Sequence, residues 1–143
     1  MNNAVLKFTA FVLLASSFLA CKEDPSLRDQ LIGHWRSTKV VLVENEVAIE
    51  IRDSISYDLA LEESLNYQME TTTTSFGNPN SVKDTIKGDW AVQETSQFLT
   101  LSDYNGTPIK TWDVTTISDT QMILEAFAEN NTRKRYVISY SRQ

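Results

Sequence analysis

Cys21 is the one cysteine in a chain of 143 residues, and it directly follows an apolar run of 13 residues from Phe8 to Ala20. The run is too short to cross a bilayer as a helix, which takes about 20 residues. It has the length of the apolar region of a secretory signal, with Lys7 ahead of it and the small residue Ala20 before a cleavage site. A thiol placed there has the chemistry of a lipid acceptor. A free thiol at the new terminus of an exported chain would be an odd remainder. Each buried CH₂ of an attached acyl chain contributes about 0.8 kcal/mol, and stable anchoring takes more than one chain. The alternative is an ordinary signal peptide with a chance cysteine behind it.

The other reactive side chains form no recognisable set. His34 is the only histidine and has no Ser or Cys constellation around it. One histidine and no cysteine pair argue against zinc. Glu46, Glu50, Glu62, Glu63, Asp84 and Asp89 lack the loop spacing of a calcium site and read as solvated strand faces. No nucleophile elbow and no phosphate loop is present, so the reading is not an enzyme, and no cofactor is expected.

Phe18-Leu19-Ala20-Cys21 resembles the lipobox of bacterial lipoproteins, departing from it in having Phe18 where leucine is usual. Lys22-Glu23-Asp24 resembles the lipoprotein export signal of Bacteroidota. That resemblance implies a lipid anchor on Cys21 and a place on the outer membrane, facing the cell surface, with the periplasmic face as the alternative. The charged triplet also reads simply as a solvated tether. Residues 1–20 are then the signal, 21–26 a lipidated tether and 27–143 one domain.

Without residues 1–20 the chain keeps 12 basic and 19 acidic residues, a formal charge of −7. An acidic domain lacks the clustered cations that nucleic acid requires. The single basic cluster, Arg133-Lys134-Arg135, reads as a turn or strand edge.

The domain that carries these residues begins with a helical turn over Ser26–Ile32, between Pro25 and Gly33. Beyond it the pattern is strand: Trp35–Val43, Val47–Ile51, Leu65–Phe76, Val82–Val92, Phe98–Leu101, Ile109–Ile117, Met122–Phe127 and Tyr136–Tyr140. Ile55–Leu61 reads either as a strand or as a short helix reaching Leu65. Gly77-Asn78-Pro79-Asn80-Ser81 is a turn, and Asn105-Gly106 suits a tight hairpin. About eight strands with short connections define an all-β antiparallel meander, closed as a barrel or folded as a sandwich.

Gly33-His34-Trp35, after a helical turn and before that meander, resembles the opening of lipocalins. The resemblance implies an up-and-down β-barrel in which Trp35 plugs the closed end and an arginine near the C-terminus packs over it. Arg142 is the first candidate and Arg135 the second, and the stack would be a cation–π contact. Gly88-Asp89-Trp90-Ala91-Val92 followed by Phe98-Leu99-Thr100-Leu101, then Ile117–Leu124 and Tyr136–Tyr140, resemble the small lipocalin-like lipoproteins of Bacteroidota. Glu44–Ser64 does not follow their pattern. Such barrels hold apolar molecules in an open mouth, so a small apolar ligand is an expected partner. Trp90 and Trp112 either pack in the core or line that cavity. A barrel filled by its own side chains, serving as a structural or protein-interaction subunit, is the other reading.

Asp53-Ser54-Ile55 and Asp84-Thr85-Ile86 both resemble the O-glycosylation sequon of Bacteroidota. The expectation is that Ser54 or Thr85 carries glycan in a native host. An intact-mass spectrum of the natively produced chain then exceeds the mass of the bare lipoprotein, and a spectrum equal to it removes the expectation.

Overall fold

The computed structural model describes residues 24–51, 54–75, 80–128 and 131–143. One short helix, α1 (Leu27–Leu31), precedes nine strands: β1 (Gly33–Glu44), β2 (Val47–Glu50), β3 (Ile55–Leu61), β4 (Asn66–Thr74), β5 (Ser81–Gln93), β6 (Phe98–Ser102), β7 (Pro108–Ile117), β8 (Gln121–Ala128) and β9 (Asn131–Arg142).

Ser26 starts the helix as its N-cap. Its hydroxyl accepts the Asp29 N–H at 3.1 Å, satisfying one of the donors that a first turn leaves open. The Glu94 carboxylate accepts two more, from Leu27 at 2.9 Å and Arg28 at 3.1 Å. Glu94 lies in the β5–β6 turn, so capping also ties the helix to the barrel base. Leu27 and Leu31 are the buried face.

Every strand pairs antiparallel with its neighbour, and β1 pairs with β9, so the sheet closes on itself. The barrel has eight strand positions, because β2 and β3 share one. Val47–Glu50 pairs with the second half of β1 (Val41↔Glu50), and β3 pairs with its first half (Arg36↔Asp58). Between them the chain leaves the ladder: the Ile51 N–H donates to the Val40 carbonyl at 2.8 Å, and the Ser54 N–H folds back on the Ile51 carbonyl at 2.9 Å. This interruption is why Glu44–Ser64 fits no simple pattern. Ile55–Leu61 is a strand, and the short-helix alternative is set aside. Arg133-Lys134-Arg135 lies inside β9, which starts five residues before the apolar pattern indicates.

The ends of the barrel differ. At the base, the β3–β4, β5–β6 and β7–β8 turns gather around α1. At the other end, β1 turns into β2 through Asn45 and Glu46, both at positive φ (50° and 68°), the two-residue turn that suits the twist of a hairpin. The Asn105-Gly106 pair belongs to a longer connection, Asp103–Thr107. There the Asp103 carboxylate accepts the N–H groups of Asn105 and Thr107 at 2.9 and 2.8 Å. These bonds to the ionised form hold the Asp103 carboxyl below its ordinary pKa. The turn expected at Gly77-Asn78-Pro79 lies outside the described residues.

The interior is set by alternation. Trp35, Val40, Leu59, Leu61, Tyr67, Met69, Trp90, Leu99, Leu101, Trp112, Val114, Met122, Leu124, Ile138 and Tyr140 form one buried cluster with the two helix leucines. β1 keeps its face inward across a bulge between Ser37 and Lys39. Ser37, the one buried polar residue among those described, fills that site by accepting the Tyr57 N–H at 2.8 Å.

β5 outruns its neighbour. Only Asp89–Gln93 pairs with β6, while Thr74–Asn66 covers the whole of Ser81–Asp89 on the other side. Among the described residues, the β6-facing edge of Ser81–Lys87 has no strand beside it. At Gly88 the chain of β6 crosses closely, and a Cβ there would collide with the Ser102 carbonyl oxygen. Gly88→Ala is therefore expected to destabilise the fold by about 2–3 kcal/mol through overpacking. Gly106→Ala, where nothing lies within 4 Å and only a φ of +80° opposes the change, is expected to cost about 1 kcal/mol. Urea unfolding of both variants checks the order.

Candidate functional site

Two places in the barrel combine chemically distinctive side chains: the base, which is closed, and the opposite end, which forms the mouth.

At the base, Trp35 is buried and its indole N–H donates to the Leu31 carbonyl at 2.8 Å, fixing the ring under α1. Arg142 lies over that ring, its guanidinium carbon 4.4 Å from the ring centroid. The same guanidinium donates to the Ile32 carbonyl at 2.7 Å and the Gln30 carbonyl at 2.6 Å. Both are orphan acceptors at the end of the helix. Gly33 makes room for it: φ there is +143°, and a Cβ would lie 2.8 Å from the guanidinium nitrogen. Arg135 is elsewhere, on the outer face, paired with Glu125 at 3.2 Å. Trp90 completes the base, buried, with its indole N–H on the Glu62 carbonyl at 3.0 Å.

The inward side chains of β9 change character along the strand: Tyr140 and Ile138 are buried, Tyr136 is half-buried, and Lys134 reaches the rim. Their β1 partners change in step, from Val40 through Leu42 to Glu44. Glu44 and Lys134 close the series as an ion pair at 3.3 Å. Tyr140 is enclosed, its hydroxyl has no partner among the described residues, and burial pushes its pKa far above the ordinary tyrosine value. Burial raises Tyr57 as well, with the neighbouring Tyr136 adding to it. Tyr67 shows the same direction from burial, and its hydroxyl is also without a partner.

Within the mouth, Lys110 is paired with the inward Leu101 of β6 and shares a face with Trp112 two residues on. Its ammonium sits 5.1 Å from the Trp112 ring centroid and 5.8 Å from that of Tyr136. Tyr136 stands two strands away. Ala126, between them on β8 and opposite Tyr136 in register, is small enough to let the three side chains meet. Leu42, Ile55, Tyr57 and Ile86 are half-buried around the same opening. Val47 and Ile49, on the inward side of β2, are 60% and 50% exposed at its lip.

Two clefts lie on the outer wall. One, of about 610 Å³, is bounded by Val43, Asn45, Glu46, Phe127, Arg133 and Arg135 near the rim. The other, of about 490 Å³, runs past His34, Arg36, Asp58, Gln68 and Glu70. His34 faces out into it beside the Arg36–Asp58 pair at 2.7 Å. Neither cleft is bounded by Trp90 or Trp112.

Among the sequence-selected residues, the structure brings Gly33, Trp35 and Arg142 together. Trp90 lies in the base and Trp112 under the mouth, so the two tryptophans do not share one cavity wall. Thr85 is exposed on the outer face of β5, and exposed Ser54 precedes β3. Asp24 is exposed, while Cys21, Lys22 and Glu23 lie outside the described residues. Lys110 was not singled out by sequence. Its signal is position: in Lys110-Thr111-Trp112, a lysine occupies the same strand face as a buried tryptophan. No helix among the described residues is long and apolar enough to cross a membrane, and no group of three His, Cys, Asp or Glu side chains among them converges as a metal set.

A closed, up-and-down, eight-position barrel with a helix and tryptophan at its base is a lipocalin-like all-β architecture. No family model matches the chain, and no curated protein matches it. Among solved structures it is similar to a biogenic amine-binding protein determined as its selenomethionine derivative, at 10% identity and a TM-score of 0.47 over 80% of this chain. The chain spans 65% of that protein's length.

Arg142→Met removes two charge-assisted bonds and uncovers two carbonyls, and is expected to lower stability by about 3 kcal/mol. Arg142→Lys keeps the charge but not the fork and recovers less than half of that loss. Denaturant midpoints and the shift of Trp35 emission read both effects.

Proposed function

We propose that this chain is an exported lipoprotein, anchored through lipid on Cys21 to the outer membrane with its domain on the cell surface, and that the barrel mouth takes a small, largely apolar ligand. The barrel is a binding module rather than an enzyme. The observation that carries the ligand reading is the contrast between the two ends. The base is filled by Trp35, Trp90 and the helix leucines Leu27 and Leu31. The mouth narrows onto aromatic faces, with Ala126 at an inward position and half-buried apolar residues around it.

The same contrast orients the domain. The five residues from Lys22 to Ser26 reach at most about 17 Å, and they join the chain at the base. An anchor on Cys21 holds the plugged end toward the bilayer and turns the mouth away from it, where a ligand can enter.

A second reading has its own support. Phe127 is 59% exposed beside the outer cleft that Val43, Arg133 and Arg135 border. An exposed aromatic in a cleft suits a protein partner, and in that case the barrel serves as a filled accessory subunit.

Two measurements test the proposal. Cys21→Ala is expected to release the protein from the membrane fraction and to remove incorporation of labelled palmitate. Titration of the chain with an environment-sensitive apolar probe is expected to saturate, with quenching of tryptophan emission. A folded chain that binds no probe favours the accessory-subunit reading.

A further inference from the structure

We infer that Lys110 is the anion-reading group of the mouth, and that the ligand class it selects is an amphiphile carrying one negative charge, such as a carboxylate on an alkyl or aryl body. The inference rests on the mouth-binding reading above and narrows it.

Lysine is rare on the inward face of a barrel strand, because the ammonium must be taken partly out of water. Lys110 is placed there all the same, on the face of Leu101 and Trp112. The usual compensation is a carboxylate, and none is within ion-pair distance of it among the described residues. Glu44 on the rim is engaged by Lys134 at 3.3 Å, Glu125 by Arg135 at 3.2 Å and Glu70 by Lys83 at 2.6 Å. Lys110 rests instead between two ring faces, Trp112 at 5.1 Å and Tyr136 at 5.8 Å. Ring faces hold a cation in place without neutralising it. The result is an oriented positive charge beside the aromatic faces of the mouth.

Geometry also sets what can reach it. An anionic head entering from the rim meets the ammonium beside the rings of Trp112 and Tyr136. An apolar body then lies against Ile86, Tyr136 and the lip residues Val47 and Ile49. A neutral analogue of the same length gains the apolar contacts and not the charge-assisted bond. A cationic analogue meets a like charge.

The test uses the full-length chain in lipid nanodiscs, with empty nanodiscs as the partition blank. Decanoate and decanol are titrated against total tryptophan emission, on the native chain, Lys110→Met and Lys110→Arg. The expected result is that decanoate binds roughly tenfold tighter than decanol. That preference disappears in Lys110→Met and returns in Lys110→Arg, while decanol affinity stays the same in all three. Equal binding of the two probes, unchanged in Lys110→Met, overturns the inference and leaves the mouth as a neutral apolar site. Binding of neither probe by a chain with native near-ultraviolet circular dichroism overturns the mouth-binding reading itself. Preserved dichroism of Lys110→Met separates loss of the charge from loss of the fold.

Discussion

The stack of Arg142 on Trp35 is the contact on which the rest of the structure depends. It joins the first strand to the end of the last one, at the place where the barrel must close. One guanidinium covers an indole, and the indole is pinned to α1. The same group satisfies two helix-end carbonyls that have no partner in the helix itself. A five-residue helix is too short to be stable alone. Here it is held by Arg142 at one end, by Glu94 at the other and by two buried leucines between. Closure, base and helix are therefore one cooperative unit built from residues more than a hundred positions apart.

From that unit the interior runs as a gradient. The base is packed with large rings and branched side chains. The middle carries tyrosines whose burial disfavours ionisation, so their contribution to stability is complete below about pH 10, the ordinary tyrosine value, and falls away as pH rises above it. The rim ends in charge. Such a series follows from a strand that starts in solvent and ends in the core: alternate inward positions sample every depth in turn. Lys110 lies where the gradient passes from aromatic to charged, which is why it keeps aromatic contacts and has no counter-ion among the described residues.

Much of this architecture was legible in the chain. Period-two alternation located the strands, and the helical turn with Gly33 and Trp35 indicated a plugged base. Arg142 stands ahead of Arg135 as the stacking arginine because it is nearer the chain end. Register explains the difference: Arg142 pairs with Trp35 itself, whereas Arg135 pairs with Val43 on the outward face. The strands Val47–Ile51 and Ile55–Leu61 were legible, but not their sharing of one barrel position, because Ile51 and Ser54 leave the ladder between them. The start of β9 is not marked by its apolar pattern, because Arg133, Lys134 and Arg135 read as a turn or strand edge, and they face water and the rim from within the strand. The mouth was the least legible part. Lys110, Ala126 and Tyr136 lie on three different strands, and no local pattern reveals which faces the closed sheet brings together.

Among the described residues, the β6-facing edge of Ser81–Lys87 in β5 has no strand beside it and is where copies of this protein could pair. Strand alternation turns the N–H and C=O groups of residues 81, 83, 85 and 87 outward there, since the Trp90 N–H is directed to Leu65 on the β4 side. A bare edge of this length invites a second copy to add itself antiparallel. The two registers that use most of it are both penalised. One, centred on Thr85, sets Lys83 of each copy against Lys87 of the other, and the next, centred on Asp84, sets the two Asp84 carboxylates face to face. Like charges directly opposite across a ladder are destabilising. Self-pairing along this edge therefore carries a like-charge penalty in either register.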